Sequence, residues 1–209
     1  MNEHYVIELF QRVLDQAIWC GSDELRKQGW CITSETLENE LFDYMREHEL
    51  SEVEAIEELL TERFESLLQV ELERETRLLI PPYSDMLIES IKSFNLGFYN
   101  ICIPSLFSII ESALMHLANK GEYNNIRYVS GIRKRESSES LHLGLKSKLF
   151  QIANTTEELF SPMRFDASEC DITLNRHVSA HGRRESPYNK TDCLKLFLLL
   201  ASIKSCYSN

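Results

Sequence analysis

Residues 99–118 constrain the fold more than any other stretch of the chain. Tyr99 to Ala118 reads as a nearly all-apolar helix, with Ile101, Ile103, Leu106, Phe107, Ile109, Ile110, Leu114, Met115 and Leu117. A helix apolar on every side belongs at the centre of a bundle. Pro104 suits its first turn or a kink near its start. A charge placed in such a helix is costly unless it is paired, so Glu111 needs a partner, and Arg176 is the candidate. The plainer alternative is a Glu at the helix rim, bound to a backbone group or a surface cation.

Helical periodicity runs through most of the remaining chain. Met1 to Gln28 repeats apolar residues at Val6, Leu9, Phe10, Val13, Leu14, Ala17 and Ile18, the spacing of an amphipathic helix, weakened or ended by Gly21 and Gly29-Trp30. Thr33 or Ser34 offers an N-cap, with Glu38 near capping-box position, for a helix through about His48 that lines up Leu37, Leu41, Phe42 and Met45. Ser51 caps the next, expected to run to about Leu79 with Val53, Ile56, Leu59, Leu60, Phe64, Leu67 and Leu68 as its stripe. Pro81-Pro82 then blocks helix and marks a domain boundary. Beyond it, Ser84 to Phe94 and Leu141 to Leu159 read as helices, and Gly97 breaks the first. Lys120 to Ser138 lacks helical periodicity and reads as a basic loop carrying Arg127, Arg133, Lys134 and Arg135, able to hold phosphates or simply solvated. Residues 165–173 are polar and irregular. Asn189 or Thr191 begins a last, strongly apolar helix with Leu194, Phe197, Leu198, Leu200, Ala201 and Ile203. The expected fold is all-α: residues 81–209 as a bundle of four to five helices, preceded by an acidic helical region, residues 1–80.

Charge divides the chain at the same place. Residues 1–80 carry 7 Lys and Arg against 20 Asp and Glu, a net of −13, whereas residues 81–209 carry 15 against 13, a net of +2. A polyanion is drawn to local positive potential, so a nucleic-acid site belongs to the second part, and the acidic first part suits a regulatory or partner-binding role. The six cysteines form no C-x-x-C pair, and at least four fall in apolar helical patterns, where free Cys acts as a small hydrophobe. No apolar run approaches the about 20 residues a spanning helix needs. The N-terminus opens with Glu3 and His4 rather than a basic stretch and an apolar run, so no signal peptide is expected. The expectation is a soluble, cytoplasmic protein with no membrane partner.

Imidazole and guanidinium chemistry is concentrated in Asn175-Arg176-His177-Val178-Ser179-Ala180-His181-Gly182, followed by Arg183 and Arg184. Arg176 is planar and permanently charged, and can hold phosphoryl oxygens at two points. His181 can take or give a proton near neutral pH. Asn175 can cap or orient the segment, and Gly182 stands where a helix C-cap glycine would. On an ideal helix Arg176 and His181 lie about 140° apart. They converge only if the backbone distorts near Gly182, the Arg side chain wraps round, or two copies of the motif meet. His177 and His181 share a face, about 40° apart, and H-x3-H is also metal-ligand spacing. Against zinc, Val178 stands where the H-E-x-x-H enzymes carry their Glu, and the nearby thiol is Cys170.

The string N-R-H-x3-H-G, with Glu111 in an apolar helix ahead of it and another apolar helix behind, resembles the R-x4-6-H motif of the HEPN superfamily, small helical metal-independent endoribonucleases and their inactive relatives. The resemblance covers about residues 80–207. It implies a HEPN-like bundle that cleaves RNA by 2′-OH attack, leaving 2′,3′-cyclic phosphate ends, plausibly as a toxin or antiphage effector, with no metal and no cofactor. It assigns Arg176 and His181 as catalytic, with His177, Asn175 and Glu111 supporting. Arg183, Arg184, Lys190, Arg133, Lys134 and Arg135 would bind RNA phosphates. It further implies a homodimer whose paired motifs form a composite site, and the acidic region is free to take a protein partner. The alternative is a non-catalytic helical module that binds a partner or a nucleotide. Some HEPN toxins carry a tyrosine three residues after the motif histidine; here that position is Arg184.

Overall fold

The computed structural model describes residues 23–33, 35–69, 72, 83–119, 128–138, 141–162, 174–182 and 186–207. Their helices, in chain order, are α1 (Asp23–Lys27), α2 (Glu35–His48), α3 (Glu52–Phe64), a π turn (Glu65–Gln69), α4 (Tyr83–Asn95), α5 (Tyr99–Ala118), α6 (Tyr128–Glu136), α7 (Leu143–Phe160), α8 (Arg176–Ala180) and α9 (Lys190–Ser205). No strand occurs among the described residues, so the all-α expectation holds. The periodicity read in Met1 to Gln28 falls mainly on residues outside them.

The apolar stretch forms α5, an unbroken helix that keeps Pro104 inside it. Its neighbours are α4, α6, α8 and α9, and Cys102, Ile103, Leu106, Phe107, Ile109, Ile110, Leu114 and Leu117 are buried. One expectation is corrected here. With 20 residues and a mean hydropathy of 1.6, α5 is long and apolar enough to cross a membrane by length and composition. Packing supplies the physical reason for that apolarity, since 56% of the window is buried inside the protein.

Short-range chemistry sets the ends of the helices. Ser51 and Glu54 form a capping box ahead of α3: the Glu54 amide donates to Ser51 Oγ at 3.5 Å, and the Ser51 amide donates to Glu54 Oε2 at 3.2 Å. Asn189 and Asp192 repeat the device at α9, with distances of 2.9 and 3.1 Å. At the close of α4, Gly97 adopts φ +78°. Its amide donates to the Phe94 carbonyl at 2.9 Å, and the Phe98 amide to the Ser93 carbonyl at 2.8 Å, a Schellman ending that turns the chain into α5. His142, a residue no spacing singled out, caps α7 by accepting from the Leu145 amide at 3.2 Å.

Two further expectations are corrected. The helix expected to reach Leu79 leaves α geometry at Arg63 (φ −118°, ψ 22°) and continues as the π turn; residues 70, 71 and 73–80 lie outside the described set. Four residues advance about 400° on an α-helix, so Phe64, Leu68 and Leu72 drift round an α surface, and one wider turn offsets that drift. All three are buried. The second correction concerns the basic loop, because residues 128–136 are the helix α6. It packs by close approach rather than by an apolar stripe: a Cβ at Gly131 would lie 2.8 Å from Ala118 Cβ on α5.

Residues on both sides of Pro81-Pro82 build one core. Phe64 lies 4.5 Å from Phe94 and 5.2 Å from Phe197 between ring centroids. Ser202 Oγ donates to the Cys31 carbonyl at 2.8 Å, Thr155 Oγ1 to the Trp30 carbonyl at 3.4 Å, and Lys204 Nζ to the Leu72 carbonyl at 2.5 Å. Cys31, Cys102, Cys193 and Cys206 are free thiols inside this core, while Cys20 and Cys170 lie outside the described residues.

Candidate active site

Asn175 organises the motif. It is fully buried and extended (φ −146°, ψ 137°), and its Oδ1 accepts from the His177 amide at 2.8 Å and the Val178 amide at 3.4 Å. This is an N-cap, worth about 1 kcal/mol in typical helices. Its Nδ2 donates to the Ser161 carbonyl at 3.1 Å, which ties the start of α8 to the end of α7. Buried Val178 holds the short helix against the core. Arg176 is thereby fixed as the first helical residue.

Glu111 and Arg176 meet, at the half-exposed rim of α5 rather than in its buried face. Arg176 Nη2 lies 2.9 Å from Glu111 Oε2, with the side chains 38% and 28% exposed. So open a pair contributes at most about 1 kcal/mol to stability; its consequence is orientation. The fork of the guanidinium keeps further donors, and Glu111 offsets part of its charge.

Beyond α8 the backbone leaves helical geometry. His181 is the C-cap at φ −102°, ψ 4°, and Gly182 follows at φ +60°. The departure from helix therefore comes at His181 and Gly182, beyond the regular turn that carries Arg176. The rings of His177 and His181 lie 4.8 Å apart, edge to face at 69°. Both are solvent-accessible, His181 the more so. Among the described residues no group of three His, Cys, Asp or Glu has metal-ligand geometry, and Cys170, the thiol weighed with this pair, lies outside them.

Sequence spacing missed Tyr128, the first residue of α6. Its phenol is pushed above its ordinary value, first by burial, then by the negative charge of Glu111, with Arg176 acting the other way. It therefore sits in the field of both members of the pair. Nothing local marks it, because the electrostatic influence comes from residues distant in sequence, Glu111 and Arg176.

The expected phosphate contacts divide. Arg133 bonds Glu136 at 3.3 Å and Glu157 at 3.1 Å, and also bonds Asn154. Arg135 donates to the Leu117 carbonyl at 2.5 Å, near the end of α5. Lys190 donates to the Thr61 carbonyl at 3.1 Å. These three join elements of the fold, whereas Lys134 is exposed. Arg183 and Arg184 lie outside the described residues. A cleft of about 280 Å³ between Gly29, Leu159, Leu174 and Lys195 is bordered by none of Arg176, His177, His181 and Glu111.

Compared with protein-family models, curated proteins and solved structures, the chain matches none. Fold and site together define an all-α protein with an accessible arginine–histidine cluster.

Proposed function

We propose that this protein is a metal-independent endoribonuclease of HEPN type, acting as a toxin or antiphage-defence effector. The observation that carries the reading is the gathering of Arg176, His177 and His181 at the surface around one short capped helix, with Arg176 oriented by Glu111. RNA supplies its own nucleophile, the 2′-OH. His181 takes or gives a proton, a role typically worth about 10² to 10⁴ in rate, while Arg176 stabilises charge on the phosphoryl oxygens. An accessible cluster suits a polymer. In this reading the composite site of a two-fold homodimer brings two copies of the motif to one scissile phosphate, and exposed Lys134 adds positive charge.

Incubation with total RNA in excess chelator tests it. Wild type is expected to cut, and Arg176→Ala and His181→Ala each to lose about 100-fold or more. Equal cleavage by all three contradicts the assignment.

One observation favours the second reading, a non-catalytic helical module that binds a partner or a nucleotide. Arg176 already has an anionic partner in Glu111, the arrangement of a structural pair. RNA left intact by purified wild type selects this module.

A further inference from the structure

We propose that Tyr128 is a substrate-contacting residue of this site, its phenol donating a hydrogen bond to the phosphoryl group that Arg176 holds. The inference rests on the ribonuclease reading and adds a residue that the motif does not contain.

Aromatic packing fixes the ring. Tyr128 meets Phe160 edge to face, with centroids 5.7 Å apart at 75°. Phe160 meets Phe107 in the same way, at 5.4 Å and 82°. Phe107 lies one turn before Glu111 on α5, so this row of rings runs from α6 across the end of α7 to the helix that orients Arg176. Such pairs contribute about 0.5–1.5 kcal/mol each beyond area burial, enough to hold the phenol in one place.

The hydroxyl is left uncommitted. Tyr128 is only partly buried, and among the described residues its hydroxyl makes no hydrogen bond. A half-buried O–H in the field of an arginine–glutamate pair, held by its ring and bonded to no described residue, is free to donate to a ligand. Burial and Glu111 both disfavour its ionised form, so it keeps its proton at neutral pH. An anion binds the guanidinium donors that Glu111 leaves free, and the phenol supplies an uncharged donor beside it. Phosphoryl oxygens gain charge in the transition state, where the bond is strongest.

The test is steady-state cleavage of a defined RNA by the full chain in excess chelator, with Tyr128→Phe and His181→Ala beside wild type. Phenylalanine keeps the row of rings and removes only the hydroxyl. The expected result is a kcat lowered about tenfold with KM nearly unchanged, and a melting temperature equal to wild type. If Tyr128→Phe melts earlier, kcat is compared at a temperature where both proteins are folded. Equal kcat for Tyr128→Phe and wild type, with His181→Ala inactive, overturns the role of Tyr128 and leaves the ribonuclease reading standing. Wild type that neither cuts RNA nor binds a 2′-O-methyl analogue of it overturns both.

Discussion

Both ends of the buried Asn175 carboxamide are bonded, Oδ1 to the first amides of α8 and Nδ2 to Ser161 at the end of α7. Asn175→Ala therefore removes a helix cap and strands the Ser161 carbonyl, and is expected to lower unfolding free energy by about 1–2 kcal/mol. Asn175→Ser, which keeps a capping oxygen, recovers part of it. Urea denaturation of the three proteins checks this, and equal midpoints contradict the account. Two further residues show where sequence reasoning reaches and stops. The sequence points to Arg176 as the partner of Glu111 because a charge in an apolar helix calls for one, and the pair forms at 2.9 Å. Tyr128 is invisible in the sequence, because no burial or spacing argument links it to position 111 or 176.

Gly97 fixes how α4 meets α5. Its φ of +78° lies in the left-handed region, and an added Cβ would meet no atom within 4 Å. Gly97→Ala thus isolates backbone strain from crowding. It should cost about 1–2 kcal/mol, read as a lowered thermal midpoint; an unchanged midpoint rejects the left-handed turn. Elements with a strong local signal were legible: the apolar α5, Ser51 ahead of α3, Asn189 ahead of α9, and Gly97 and Gly182 at helix ends. Illegible elements are held by non-local forces. In α6 only Gly131 and Ile132 are buried, and Arg133 and Arg135 bind partners 18 to 24 residues away, so no 3.6-residue apolar rhythm exists to read. The break at Arg63 was hidden for a related reason: its apolar stripe continues unbroken in sequence while the backbone rewinds to keep Leu68 and Leu72 in the core.

Across the whole molecule, acidic and near-neutral parts share one interior. Leu41, Leu59, Leu60 and Phe64 belong to the same buried cluster as Leu106, Ile110 and Phe197, so removing the first eighty residues strips a core rather than releasing a lid. Any restraint by the acidic region is better tested by charge substitution at its surface. The interior also carries a pH signature. Burial pushes the Cys31 thiol to about 12 and the Cys206 thiol to about 11, from an ordinary value of 9.0. The folded state then holds protons that the unfolded chain releases, so this contribution is full below pH 9 and is lost as the pH climbs toward 11 and 12. Urea midpoints should fall across that window, and less steeply in Cys31→Ala; identical slopes contradict the assignment. The central claim is that an arginine at the start of one short helix and a histidine capping its end break RNA without a metal ion. The most direct measurement is the mass of the 3′ ends left on a defined RNA by purified protein in excess chelator. The account predicts 2′,3′-cyclic phosphates that disappear with His181→Ala. Ends bearing a 3′-hydroxyl, or cleavage that stops when the chelator is added, would contradict it.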